Sequence, residues 1–299
     1  MLDSEDLEKL LKAGRVSGEA RNLGMEMVDK GVKLYDVAQE IESYIRRQGC
    51  KLAFPTNISI NDIAAHYTPS PNDKSRFEIG DVVKVDCGAQ LDGWVGDTAG
   101  TVEVGTSVYR ELIDSAKAAR DSVMEFVGEG VPINEIGKVV TMTIESRGFR
   151  PIRNLTGHQI ESYNLHAGLA IPNYDDGNTD KLNAGMIIAC EPFATNGEGL
   201  IKGGKPGNIC RIVRDRPIGD PKLQEFFDYL KEEFATFPFC ARSCDSTDWP
   251  KANLMVNKLL RMGVLSSYAI LNEVKGGCVA QWEHTVYIAG HKGQITTLP

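Results

Sequence analysis

Residues 31–49 read GVKLYDVAQEIESYIRRQG, and residues 130–148 read GVPINEIGKVVTMTIESRG. The two stretches align without a gap at an offset of 99 residues. Gly31 matches Gly130, Leu34 matches Ile133, Val37 matches Ile136, Ile41 matches Val140, Ile45 matches Ile144 and Gly49 matches Gly148. Apolar residues three and four apart form one buried face of a helix, and glycine commonly stands just past a helix end. Amphipathic helices resemble one another, so this match alone is weak. A second match follows each helix: IGDVVKVD, ending at Asp86, parallels AGMIIACE, ending at Glu191. Both read glycine, any residue, two apolar residues, two further residues, carboxylate. Two structurally similar halves are therefore expected, each delivering an acid from the end of a strand.

Working outward, Leu7, Leu10, Leu11 and Val16 place a helix before the first repeat, and helices are expected over about Val108–Val127 and Ile133–Ile144. Strands are expected at Val82–Val85 and Thr101–Val104, with GAQLDGWVG between them read as turn-like. The halves then diverge. Asp97 follows Asp86 by 11 residues, whereas Glu283 follows Glu191 by 92. The longer interval holds DPKLQEFFDYLKEEF and PKANLMVNKLLRMG, each with a proline near its first turn. It reads as a helical insertion at about 195–270.

Asp86, Asp97, Glu191 and Glu283 all stand where strands should be apolar. A buried carboxylate is costly unless paired or bound to metal. Each acid singly is best read as a strand end at the surface. As a set of two pairs in a repeat, they cannot all stay ionised without cations among them, and a metal site is the better reading. Of the five histidines, His66, His158 and His166 flank these acids, His284 is expected to point away from Glu283's face, and His291 lies in a polar tail.

The net charge of −8 and the dispersed lysines and arginines argue against a nucleic-acid surface. No apolar run approaches the roughly 20 residues that span a bilayer. The start, MLDSEDLEKLLKAGR, carries acid where a signal peptide carries base. Seven scattered cysteines do not form a disulfide framework. A cytoplasmic, monomeric protein without membrane or nucleic-acid partners is expected.

Five motifs make the reading specific: KVDCGAQLDGWVGDTAG, NLTGHQIESYNLHAG, ACEPFATNG, QWEHT and AFPTNISINDIAAHYTP. With them the chain resembles the type II methionine aminopeptidases in their short archaeal form, over essentially its whole length. The resemblance implies a single catalytic domain over 1–299 with the α/β "pita-bread" fold, a pseudo-two-fold curved antiparallel sheet with outer helices. It implies five metal ligands, Asp86, Asp97, His158, Glu191 and Glu283, with Asp97 and Glu283 bridging two divalent ions. This oxygen-rich set suits Co, Mn or Fe, with Zn a further candidate. A hydroxide shared by the ions would attack the scissile carbonyl, with Glu191 shuttling the proton. His66 and His166 match residues beside the scissile amide, and a neutral imidazole donating to the developing oxyanion is the expected role. Phe54, Leu165 and Tyr268 would line the methionine pocket, with Ile209 nearby. Core packing is the plainer reading of Phe54 and Leu165. The implied partner is the N-terminal peptide of nascent proteins, with a transient ribosome contact allowed. Fumagillin-like epoxides alkylate the histidine matching His66 in type II relatives.

Two rivals are weaker. Prolidases and aminopeptidases P share the fold but usually carry an added N-terminal domain and lack the GH–HAG pattern. A catalytically dead binding protein would have lost metal ligands, and here all five positions are filled.

Overall fold

A computed structural model of the chain describes residues 1–244 and 249–299. The first half runs α1 (Ser4–Met27), α2 (Leu34–Arg47), β1 (Lys51–Ile60), β2 (Ile63–Ala65), β3 (Val82–Leu91) and β4 (Trp94–Glu103). The second runs α3 (Arg110–Phe126), α4 (Ile133–Glu145), β5 (Arg150–Pro151), β6 (Gly157–Ile160), β7 (Ala170–Ile171), β8 (Ile187–Cys190), β9 (Phe193–Thr195) and β10 (Ile201–Ile212). Then come α5 (Pro221–Phe234), α6 (Ala241–Cys244), α7 (Ala252–Arg261), β11 (Leu265–Glu273), β12 (Val279–Gln281), β13 (His284–Tyr287) and β14 (Gln294–Ile295). All strand pairings among the described residues are antiparallel, in the orders β1-β3-β4, β14-β13-β8-β6-β7, β12-β9-β5 and β10-β11-β2.

The repeat is visible as matching helices and strands. Leu34, Val37, Ile41 and Ile45 of α2 share a core with Val83 and Val85 of β3. Ile133, Ile136, Val140 and Ile144 of α4 share another with Ile188 and Cys190 of β8. Gly31 and Gly130, which precede the two helices, have φ of +82° and +84°, and Gly49 and Gly148, which follow them, have +76° and +82°. Nothing lies within 4 Å of a Cβ at Gly31, Gly130 or Gly148, and at Gly49 only the flexible Lys12 Nζ does, at 3.7 Å, so backbone conformation and not crowding selects glycine there.

The segment 88–96 is mostly strand, contrary to the turn-like reading. Only Asp92 and Gly93 turn, with φ of +49° and +90°. Two positive φ values in a two-residue loop make a type I′ hairpin, for which Asp-Gly is a favoured pair. Both strands therefore run farther than the apolar pattern alone indicated.

α1 lies directly on this hairpin. Ser17 Oγ donates to the Gly96 carbonyl at 2.8 Å and accepts from Ala89 N–H at 2.8 Å. A Cβ on Gly96 would stand 2.4 Å from Gly14 Cα, which is backbone and cannot swing aside. Gly96→Ala is therefore expected to cost about 1–3 kcal/mol. An unchanged melting temperature would show that α1 does not pack this closely.

Threonine hydroxyls zip the two halves together. Thr285 Oγ1 accepts from Asp97 N–H at 2.8 Å and donates to the Asp97 carbonyl at 2.8 Å. Thr98 Oγ1 donates to the Glu283 carbonyl at 2.9 Å, and Glu283 N–H to the Ala99 carbonyl at 3.1 Å. Between β10 and β11, helices α5 and α7 close a separate core around Phe226, Phe227, Leu230 and Leu259.

Candidate metal centre and substrate cavity

Strand register places the acids. Asp97 pairs with Gly88, and Asp86 lies two residues from Gly88 on the same strand. Residues opposite one another share a face, as do residues two apart, so Asp86 and Asp97 are diagonal neighbours. The second half repeats the device: His158 pairs with Ala189, two residues before Glu191. His284 pairs with Cys190 on the other face, where its Nδ1 meets Thr297 Oγ1 at 2.7 Å. It stays out of the site, as its position beside Glu283 suggested, and His291 is exposed elsewhere.

These side chains line one cavity of about 270 Å³. Asp86, Asp97, His158, Glu191 and Glu283 share its wall with His66, His166, Phe54, Leu165, Ile209 and Tyr268. Every residue singled out from sequence for this site thus reaches the same space. Phe54 and Leu165 also belong to one apolar cluster with Ile160 and Ile187, so the core reading and the pocket reading describe the same two side chains.

Burial first, then repulsion from Asp97, pushes Asp86, Glu191 and Glu283 well above the ordinary carboxylate range. Asp86 Oδ1 is buried with no hydrogen-bond partner. His158 Nδ1 faces the Gln159 carbonyl at 3.4 Å. A carbonyl only accepts, so Nδ1 carries the proton, and in the neutral ring Nε2 keeps its lone pair. That Nε2 stands 3.6 Å from Asp97 Oδ2 and 3.9 Å from Glu191 Oε1, too far for hydrogen bonds. Ligand atoms of Asp97, His158 and Glu283 all lie within 4.8 Å of one another. An orphaned carboxylate oxygen, a fixed imidazole tautomer and mutually repelling buried acids fit divalent cations.

Two neutral amides that sequence reading passed over support this set. Asn57 on β1 donates to Asp86 Oδ2 at 3.2 Å, and Gln281 on β12 donates to Glu191 Oε2 at 3.2 Å. Both are polar residues in buried strands, the same signal that marked the acids. Asn57→Ala is expected to weaken metal binding about 10- to 100-fold. A metal titration with wild-type affinity would show that Asp86 needs no such partner.

His66 follows β2 with a positive φ of +67°. Its Nδ1 donates to the Ala269 carbonyl at 3.2 Å, so Nε2 is left as an acceptor. Burial lowers its pKa, against the opposing pull of that carbonyl. A neutral His66 therefore cannot donate from Nε2, and a donor role at an oxyanion falls to the protonated ring or to another group. Its ring meets Tyr268 edge-on, with centroids 5.3 Å apart. His166 lies against His158, with centroids 4.4 Å apart, and lines the cavity although the residue as a whole is exposed. Desolvation, then His158, His66 and Arg211, push its pKa down to about 3.

The model of metallopeptidase family M24 matches residues 8–289. The chain belongs to metallopeptidase family M24. Among its relatives are methionine aminopeptidases. That of Archaeoglobus fulgidus is 42% identical over 298 residues, covering 99% of this chain and 100% of the relative. That of Methanocaldococcus jannaschii is 39% identical over 300 residues, covering 99% and 100%. The crystal structure of methionine aminopeptidase from Thermotoga maritima superposes with a TM-score of 0.71 at 22% identity, covering 100% of this chain and 98% of that one. The family's pita-bread fold is thus the fold of this chain.

Proposed function

We propose that this protein is a metal-dependent exopeptidase that releases methionine from the N-terminus of peptides, acting as a single catalytic unit over 1–299 with an insertion at about 195–270 whose helices, α5 to α7, lie between strands β10 and β11. Membership of a metallopeptidase family implies divalent metal. The observation that carries the reading is one cavity in which two buried acids, Asp97 and Glu283, two half-buried ones, Asp86 and Glu191, and the His158 imidazole share a wall with Phe54, Leu165, Ile209 and Tyr268. Its volume of about 270 Å³ falls just below the usual ~300–1,000 Å³ of small-molecule sites, which suits one side chain and its amide.

Two divalent ions balance four carboxylates. Asp86, Asp97, His158, Glu191 and Glu283 would hold them, with Asp97 and Glu283 shared, and Co, Mn, Fe or Zn is the metal. When bound, such ions acidify water and polarise a carbonyl. The chain's own groups do the rest. Phe54, Leu165 and Tyr268 enclose the methionine side chain and exclude water. His166, neutral at physiological pH, hydrogen-bonds the scissile amide, and His66 Nε2 accepts a hydrogen bond from a backbone N–H of the substrate. Glu191 moves a proton toward the leaving nitrogen. The substrate is the N-terminal peptide of newly made proteins, met by a cytoplasmic monomer. Among the described residues no helix is long and apolar enough to cross a membrane.

A peptide panel tests this. Metal-loaded protein should release methionine from Met-Ala-Ser and leave Ala-Pro peptides intact. Release of the residue before proline would move the chain to the proline-specific branch.

A further inference from the structure

The His66 turn is tied to the helical segment between β10 and β11 by a buried ion pair. Glu42 of α2 and Arg242 of α6 meet with side chains 0% and 1% exposed. Arg242 engages both carboxylate oxygens of Glu42 through Nε and a terminal nitrogen. The same guanidinium donates to Thr68 Oγ1 at 2.9 Å and to the Pro69 carbonyl. Glu42 Oε1 also accepts from Thr56 N–H at 3.1 Å, and Thr68 Oγ1 donates to the Thr56 carbonyl at 2.7 Å. Two residues from His66, one arginine therefore joins α2 to the turn, and Thr56 of β1 bonds to both of its partners, Glu42 and Thr68.

Two further carbonyls of the turn are held by other strands. Ile58 N–H donates to the Tyr67 carbonyl at 2.8 Å, and Asn208 of β10 donates to the Thr68 carbonyl at 3.0 Å. His66 sits in a backbone region that a side-chain-bearing residue rarely adopts, and such a conformation persists only where the surroundings over-determine it. The ion pair is also expensive to bury, since desolvating two charges consumes most of their attraction. What the pair supplies and apolar packing does not is a rigid fork aimed at Thr68 and Pro69.

We propose that Arg242 and Glu42 are positioning residues that fix the His66–Pro69 turn and thereby aim the His66 imidazole into the substrate cavity. The helical segment thus acts on the chemistry although its core lies apart from it. This rests on the reading of His66 as a working group of the site.

A double-mutant cycle on the metal-loaded full chain tests it. Arg242→Met with Glu42→Leu removes both charges, so no unpaired one stays buried. Arg242→Lys keeps the charge without the fork, and serves if the double variant does not fold. The expected result is a fall in kcat of about 10- to 100-fold with little change in KM and with full metal content. In a His66→Ala background the same substitutions should cost nothing further. The rate at which fumagillin alkylates His66, read by mass spectrometry, should fall in parallel with kcat. Equal losses in both backgrounds, or an unchanged alkylation rate, would overturn the proposal. A fully active His66→Ala chain combined with slowed alkylation in the double variant would overturn only the reading of His66, and would support the positioning.

Discussion

Asp97→Asn should lose more than about 100-fold in methionine release and should hold less metal than the wild type. Outer partners of metal ligands typically cost 10- to 100-fold when removed, and a residue shared by two ions should exceed that. The substitution keeps the shape of the side chain, and the backbone of Asp97 stays clamped at both ends by Thr285 Oγ1. The fold should therefore survive. The metal-free variant should be no less stable than metal-free wild type, because Asp97 is the neighbour whose charge most raises the pKa of Asp86, Glu191 and Glu283. A structural acid would behave the opposite way, with stability falling and metal content unmoved. Elemental analysis and thermal melts in chelator separate the two. Full turnover at normal metal content would remove Asp97 from the bridging position.

His66→Ala should fold, bind metal and lose about 10²- to 10³-fold in kcat, the usual range for one positioned proton-transfer or hydrogen-bonding group. Metal content should be unchanged, because the close group of ligand atoms found among the described residues is formed by Asp97, His158 and Glu283 without His66. The turn should persist through the Tyr67, Thr68 and Pro69 contacts. Steady-state kinetics on Met-Ala-Ser, with metal counted in the same sample, reads both effects. An unchanged kcat/KM would exclude His66 from the reaction. Loss of metal along with activity would make it part of the metal shell instead.

Much of this was legible in sequence because buried strands punish polarity. Asp86, Asp97, Glu191 and Glu283 stood out against Val, Ile and Ala neighbours, and the repeated helix face fixed the relation between the halves. The same rule applied to neutral amides would have found Asn57 and Gln281, which are less conspicuous because an amide in a strand is cheaper than a charge. The hairpin between β3 and β4 was read too short, since Gly88, Ala89, Gln90 and Gly96 interrupt its apolar pattern and only Asp92-Gly93 marks the turn. The second acids are not quite equivalent: Asp97 lies seven residues before Val104, whose carbonyl accepts from Gly80, and Glu283 five before Ile288, whose carbonyl accepts from Gly185. An offset of two keeps both on the same face, so the sequence pattern carries no sign of it. Other features depend on residues far apart in the chain. The tautomer of His66 is set by Ala269, and the arginine that grips its turn comes from a helical segment whose sequence resembles ordinary packing.

The central claim is that these five side chains form a two-ion site that performs the hydrolysis. Its most direct test is to strip the protein with chelator and titrate Mn or Co back, following bound metal per chain and methionine released from Met-Ala-Ser in the same samples. The account predicts no release from the stripped chain, saturation at two ions per chain and return of activity as the site fills. Methionine release by the stripped chain, or a folded chain that takes up no ion, would contradict it.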